Sequence, residues 1–318
     1  MLLRLFITLL VLPLVYGARL PSARATAHPG ARQSALRTPH SAILTVAVLD
    51  FGDGEAGRRV AEHVAGLLPG AAAGAGGKLS LLDRGLSRAA ARGVGYRGSL
   101  NLTLREARDL GAAVGCDFLV LGDTQTLRRS PSERAPYFES YASVFVVSAR
   151  TGRLVLWERP AAEGATPEQA EAALTALLDA RAAARYLAAA FEARAREERE
   201  RMEGAGRDEP AALLDLSSEE GAGRDVREPA PFRRLRPAYP ETAARAEAEA
   251  TVDALVELDA AGAVVRVEVV RWAGFGLDDA VVEAVRQMHF RPAERDGEPV
   301  PSRVLLRYNF RRPPPEMK

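Results

Sequence analysis

The chain is short of nearly every residue type from which a metal or redox site is built. Among its 318 residues Cys116 is the single cysteine. That excludes an intrachain disulfide framework and a cysteine-built metal site, so stability has to come from packed cores. Histidine is almost as scarce, and His28, His40, His63 and His289 show no metal-ligand spacing. Charge of either sign is not in excess, with 43 Lys+Arg against 42 Asp+Glu. Aromatic residues make up 6% and do not interleave with basic runs, so nucleic acid finds neither an electrostatic footprint nor a stacking platform. The apolar stretch at residues 5–16 is shorter than the ~18 residues of a spanning helix and contains Pro13.

What that stretch does resemble in its parts is a secretory signal. Met1-Leu2-Leu3-Arg4 supplies the charged start, and Val15-Tyr16-Gly17-Ala18 supplies small residues for cleavage. Residues 1–18 are therefore expected to be a signal peptide, with an N-terminal anchor as the alternative. No cysteine follows to carry a lipid. Residues 19–41, rich in Ala, Arg, Pro and Ser without periodicity, read as a disordered lead-in.

Residues 42–163 read as an α/β domain with a mainly parallel sheet plus a hairpin. The run 43–51 is continuously apolar and β-branched, which suits a strand buried on both faces. A helix follows, with Val60, Val64 and Leu67 at helical spacing, and Pro69-Gly70 is expected to stop it. The Ala/Gly tract at 71–77 then reads as a loop. Residues 79–82 form a second strand, Thr103-Leu104-Arg105-Glu106 a capping box that opens a second helix, and 118–121 a third strand. The alternation points to right-handed parallel crossovers. Strands at 140–149 and 153–158, flanking Arg150-Thr151-Gly152, make the hairpin.

Thr166-Pro167-Glu168-Gln169 opens a long helix expected over 166–203, with Ala173, Leu177, Ala180, Ala184, Leu187 and Phe191 facing inward. Past Phe191 it turns Arg/Glu-rich and is expected to project into water or fray. Residues 204–231 lack periodicity and read as an interdomain linker. Residues 232–312 make a second, smaller domain. Val252, Ala254, Val256 and Leu258 share one strand face, and residues 259–262 turn the chain into a strand carrying Val265, Val267 and Val269. Leu277, Val281, Ala284, Val285 and Met288 line one side of a helix, and Val304, Leu306, Tyr308 and Phe310 share a face of the last strand. One helix covering a three-stranded antiparallel sheet is a self-sufficient core, so the fold class is α+β overall.

Tyr239-Pro240-Glu241-Thr242-Ala243, the strand at 251–258, Gly276-Leu277-Asp278, Ala284-Val285, Phe290-Arg291-Pro292-Ala293 and Asp296-Gly297-Glu298-Pro299-Val300 follow one another in the order and spacing of a known family. Over residues 235–311 the chain resembles the TonB C-terminal domain, departing from it at Ala250, where that family usually has Gly. Val46 to Phe51, Leu81-Leu82-Asp83-Arg84, Leu121-Gly122-Asp123 and Ala149-Arg150-Thr151-Gly152 are similar to the CsgG-like and TolB-amino-terminal-like periplasmic domains. The first resemblance implies a periplasmic protein that binds a short extended segment of an outer-membrane transporter, or another envelope protein, by adding it to the margin of the sheet. Tyr239, Pro240, Arg303, Val304, Leu305, Leu306, Arg307 and Tyr308 are the candidate partner-binding residues. In that family an uncleaved N-terminal helix with a functional His couples to a proton-driven inner-membrane complex; residues 5–16 contain no His, so a free adaptor is favoured and an energy transducer with that complex as partner is the alternative the resemblance implies. The second resemblance implies an oligomerising assembly factor as the alternative.

No catalytic chemistry is expected, and no cofactor. Gly93-Val94-Gly95-Tyr96-Arg97-Gly98 spells the dinucleotide fingerprint, but it follows an Arg/Ala helical stretch instead of the first strand. Gly74-Ala75-Gly76-Gly77-Lys78 lacks the Ser/Thr of a phosphate loop. Asp50 and Asp53 lie at the C-terminal edge of a parallel strand, where α/β sheets place their sites, but no nucleophile, base or metal partner accompanies them. Cys116 reads as a small buried hydrophobe.

Overall fold

The computed structural model describes residues 43–74, 77–132, 134–204, 213–218 and 225–312. The expected signal segment and lead-in lie outside these residues. In chain order the elements are β1 (Leu44–Phe51), α1 (Glu55–Gly74), β2 (Leu79–Leu81), α2 (Arg84–Gly93), α3 (Leu104–Val114), β3 (Phe118–Arg129), β4 (Tyr137–Ser148), β5 (Leu154–Glu158), β6 (Ala161–Gly164), α4 (Pro167–Leu177) and α5 (Ala180–Gly204). There follow β7 (Leu214–Leu216), β8 (Val226–Arg227), β9 (Ala230–Pro231), α6 (Glu241–Arg245), β10 (Ala250–Leu258), β11 (Val264–Arg271), α7 (Leu277–Arg286), β12 (Phe290–Arg291), β13 (Ala293–Arg295), β14 (Glu298–Val300) and β15 (Ser302–Phe310).

The first sheet runs β2-β1-β3-β4-β5, with β6 also on β4. β1 is parallel to both β2 and β3, whereas β3-β4, β4-β5 and β4-β6 are antiparallel. The sheet is thus mixed, with a larger antiparallel part than the expected hairpin. The third strand does not stop at Leu121, because the polar continuation through Thr124 and Thr126 keeps pairing with β4 as far as Arg129. Alternation along β1 supplies both layers. Leu44, Val46 and Val48 meet α1 and α5 on one face, while Ala47 and Leu49 meet Ala91 of α2 and Ala107 and Leu110 of α3 on the other.

Two helices depart from their expected bounds. Pro69 does not end α1, which runs on to Gly74. A proline inside a helix costs about 3 kcal/mol, and here Leu68 and Ala72 on either side of it are buried in the core, which offsets that cost. The helix expected over 166–203 is two helices, broken at Leu178-Asp179, where the Asp179 carboxylate accepts from the amides of Arg181 and Ala182. The break resets the phase. Leu174, Leu178, Ala182, Ala183, Tyr186, Leu187 and Ala190 face the core, and Leu177, Ala180 and Ala184 are exposed. Past Phe191, α5 is not simply solvated: Glu197 is buried and binds the Arg150 guanidinium at 2.5 Å and Thr151 Oγ1 at 2.9 Å.

In the smaller domain the three expected antiparallel strands are present in the order β11-β10-β15, and a fourth strand, β7, joins β15 in parallel. Val252, Ala254, Val256 and Leu258 are buried beneath Leu277, Val281 and Val285 of α7, together with Tyr308 and Phe310. The segment 204–231 is therefore not a bare linker. Its described parts pair with this domain, β7 on β15, β8 on β13 and β9 on β12. β7 pairs backbone groups of the four-stranded sheet, whereas β8 and β9 complete two small sheets with β13-β14 and β12.

Candidate strand-acceptor margin

β15 pairs with β10 along its whole length, from Ser302 opposite Leu258 to Phe310 opposite Ala250. Its other margin is the one that a guest strand could use. The Leu214 amide donates to the Pro301 carbonyl at 3.0 Å, and the parallel register sets Ser302 opposite Leu214 and Val304 opposite Leu216. In that pattern the outward backbone groups belong to odd-numbered residues, so Leu305, Arg307 and Asn309 continue the same margin. β7, whose last pair is Leu216 with Val304, meets the Leu305 amide through the Leu216 carbonyl and pairs nothing beyond it. The Arg307 carbonyl accepts from Arg234 Nη2 at 2.9 Å, an external donor that marks its outward direction.

The candidate residues divide by what their side chains touch. Val304, Leu306 and Tyr308 turn inward to the core under α7, so only their backbones could serve a guest. On the opposite face Arg303 donates to Glu257 at 2.7 Å, and Arg307 donates to both oxygens of Asp253 at 2.7 and 3.0 Å. These bonds to carboxylates hold both guanidinium groups above their usual range. Leu305, 37% exposed, is the one large apolar side chain presented outward. Tyr239 and Pro240 are not on the margin. The Tyr239 hydroxyl donates to the Ala248 carbonyl at 2.8 Å and its ring lies 6.3 Å from that of Phe310, while Pro240 precedes α6 and packs near Gly276. Sequence reasoning missed Arg234 and the β7 segment. For the latter a signal was present, since Leu213-Leu214-Asp215-Leu216 is a short apolar run inside a polar stretch.

The second margin of this sheet, β11, faces the first domain, which it meets through an isolated bridge of Arg271 with Thr103 and through the residues that follow the strand. β11 and β5 line one cleft of about 500 Å³, crossed by Arg153 bound to Glu268 at 2.6 Å. Beyond β11, Trp272 is 2% exposed in the core of the first domain, and its indole N–H donates to the Gly152 carbonyl at 2.9 Å. Phe275 stacks against Trp157 and Phe145 at 4.9 and 5.9 Å. Gly274 is required between them. Its φ is +73°, and a Cβ would stand 2.7 Å from Phe145. Asn101 completes the joint: its amide donates to the carbonyls of Thr251 and Trp272 at 2.8 and 2.7 Å and accepts from the Thr251 amide at 3.1 Å.

Asp50, next to last in β1, has its carboxylate bound to Arg84 at 2.5 Å and Arg88 at 3.3 Å, at the side of a cavity of about 380 Å³ that Asp53 and Arg97 also line. Cys116 is partly buried, and burial pushes its thiol up to about 12, away from nucleophilic chemistry. Among the described residues no group of three His, Cys, Asp or Glu could hold a metal ion, and no helix is long and apolar enough to cross a membrane.

Comparison with known proteins bears on the smaller domain. Residues 236–311 match the family model described as Gram-negative bacterial TonB protein C-terminal. No curated protein matches the chain. Among solved structures, the hypothetical protein CT253 from Chlamydia trachomatis is 15% identical, covering 46% of this chain and 99% of its own, with a TM-score of 0.33. The TonB C-terminal domain of Pseudomonas aeruginosa is 20% identical, covering 32% of this chain and 95% of its own at 0.24. The PelC dodecamer from Paraburkholderia phytofirmans is 11% identical, covering 46% and 86% at 0.28. Structural likeness at these scores carries no weight for the first domain. The family match, with the order of motifs from Tyr239 to Val300, identifies residues 236–311 as a TonB C-terminal domain.

Proposed function

We propose that this protein is a non-catalytic adaptor of the periplasm that accepts an extended segment of an outer-membrane transporter, or of another envelope protein, on the outer margin of β15. The observation that carries this reading is the stretch from the Leu305 carbonyl to Asn309, which faces away from β10, pairs with no other strand among the described residues and has only the Arg307 carbonyl held, by Arg234, within a domain of the TonB C-terminal family. Strand addition draws its affinity from main-chain hydrogen bonds and needs an available margin more than particular side chains. Arg303, Leu305 and Arg307 would then select among guests. Energy transduction is not part of this reading, because residues 5–16 lack the His that coupling in that family uses.

The test is a titration of the purified full chain with labelled peptides copied from the periplasm-facing segments of TonB-dependent transporters. Saturable binding with new amide protection at Arg307 and Asn309 is the expected result. Absence of binding, or protection along β11 instead, would remove the assignment. The N-terminal mass of the protein from cells decides the transducer question: a start near Ala18 or Arg19 supports a free adaptor, and an intact Met1 in the membrane fraction supports coupling.

A further inference from the structure

We infer that Leu214-Asp215-Leu216 is a built-in competitor for the guest site, and that the guest is a parallel segment of the same apolar-acidic-apolar pattern. This rests on the strand-acceptor reading above. The chain itself shows what the margin selects. Register places Leu214 and Leu216 on the face shared by Ser302 and Val304, the core side of the sheet, and Leu214 is only 6% exposed there. Asp215 falls on the other face, 3.5 Å from the Arg303 guanidinium. Its carboxylate lies below the ordinary range, chiefly through the hydrogen bond from the Ser217 hydroxyl and then the Ser217 amide, with Arg303 adding to it.

The same geometry makes β7 a displaceable occupant. It covers three positions, Ser302 to Val304, of a strand that runs on to Phe310. Among the described residues, Ser302 Oγ and Arg303 Nε are buried beside it without a hydrogen-bond partner. A guest that began at the same register and continued past Val304 would gain the Leu305 carbonyl and the outward groups of Arg307 and Asn309, which pair with no strand among the described residues. Only tethering favours the short strand, since a segment on the same chain is present at an effective concentration of order mM. Arg234 holds the carbonyl of Arg307, beyond that of Leu305, so a longer guest has a second, single bond to displace.

The experiment compares the full chain with two variants, one with residues 213–218 replaced by a Gly/Ser segment of equal length and one carrying Asp215→Lys. Two labelled probes are titrated into each: the peptide Ala-Ala-Leu-Leu-Asp-Leu-Ser-Ser, copied from residues 211–218, and a transporter segment of the kind used above. Thermal melts confirm that each variant is folded. The Gly/Ser chain should bind both probes at least about tenfold tighter than the natural chain, as removal of a tethered competitor requires. The Asp215→Lys chain should show a smaller gain in the same direction. Equal affinity of the natural and Gly/Ser chains for a probe that does bind overturns the competitor and leaves the acceptor function standing. Binding of the self-peptide by the Gly/Ser chain alone, with no chain binding the transporter segment, upholds the competitor and removes the proposed partner. Failure of every probe on every folded chain overturns both.

Discussion

The two margins of the smaller sheet are spent in opposite ways. Along and beyond β11 the chain buries Trp272, stacks Phe275 on two aromatic rings and crosses the cleft with Arg153 and Glu268, so that margin is fixed to the first domain by packing. Along β15 the attachments are a three-residue parallel strand, the Arg234 side chain and the ion pair of Asp215 with Arg303. An aromatic contact of the first kind cannot be exchanged for a guest without opening a core. A few hydrogen bonds at an edge can be exchanged one for one. The contrast teaches that the free margin of this domain is defined as much by what anchors its far side as by what is missing from its near side.

The sharpest way to break that contrast is Trp272→Ala. Truncating a buried aromatic side chain costs about 3–5 kcal/mol, and here it would also strand the Gly152 carbonyl that the indole N–H now serves. Urea unfolding should show a loss of that size, with new protease sensitivity near residues 272–275. A loss below ~1 kcal/mol would mean that the β11 side is no more firmly held than the β15 side, and the comparison would fail.

Trp272 also shows where the sequence stopped being informative. The strands β10 and β11, the helix α7 and the inward faces of β10 and α7 could be read from alternation and helical spacing, but on β11 a register shift opposite Leu258 turns Val264 inward and leaves Val265 67% exposed, against the expected alternation of Val265, Val267 and Val269. The docking of Trp272 could not, since its partners, Leu102 and Gly152, are more than a hundred residues away and leave no local period. The inward face of α4 and α5 was placed out of phase for a different reason. Residues 170–190 are so rich in alanine that several helical stripes look alike, and the break at Asp179 shifts the phase between them. β7, β8 and β9 are two or three residues long, too short for alternation to register, and only the burial of Leu214 explains why that stretch carries an apolar run. At the candidate site the strand was legible, but which of its residues face outward followed only from the register with β7.

Asp253 links the two margins and gives the next largest effect. It sits in β10 with its side chain buried and binds Arg271 of β11 at 3.3 Å and Arg307 of β15 at 2.7 Å. Asp253→Asn keeps the volume and removes the charge, which leaves both guanidinium groups with a poorer acceptor. A loss of about 1–3 kcal/mol is expected, the range for weakening hydrogen bonds to a buried charged group. Because Arg307 Nε makes the shorter bond to Asp253, 2.7 Å against 3.3 Å for Arg271, its Nε–H resonance should move more than that of Arg271. An unchanged melting curve would show that the polar face of the sheet contributes nothing to holding its margins together.

The smallest effect is also the one in which the margins should diverge in sign. Asp278, just past the Trp272 joint, accepts from the amides of Ala273 and Gly274 at 2.8 Å each, yet burial pushes its carboxyl up to about 6. A carboxyl whose folded value exceeds its unfolded value, about 3.9, leaves the folded state holding the extra proton. Its contribution is then fully present below that unfolded value and is lost as pH rises through 6. Asp215 is shifted the other way, so its contribution to the β7 pairing is present above the unfolded value and is lost as pH falls through the lowered one. Acidification from pH 7 to pH 4.5 should therefore raise the melting temperature through Asp278 by a few °C, at ~2–4 °C per kcal/mol for a chain of this size. Asp278→Asn should flatten that slope. Further acidification, below the lowered Asp215 value, should shift the Leu214 and Arg303 amide resonances as β7 releases. If both regions instead responded in the same direction across pH 7 to 3, the two margins would be answering to the overall charge of the protein and not to these two carboxylates.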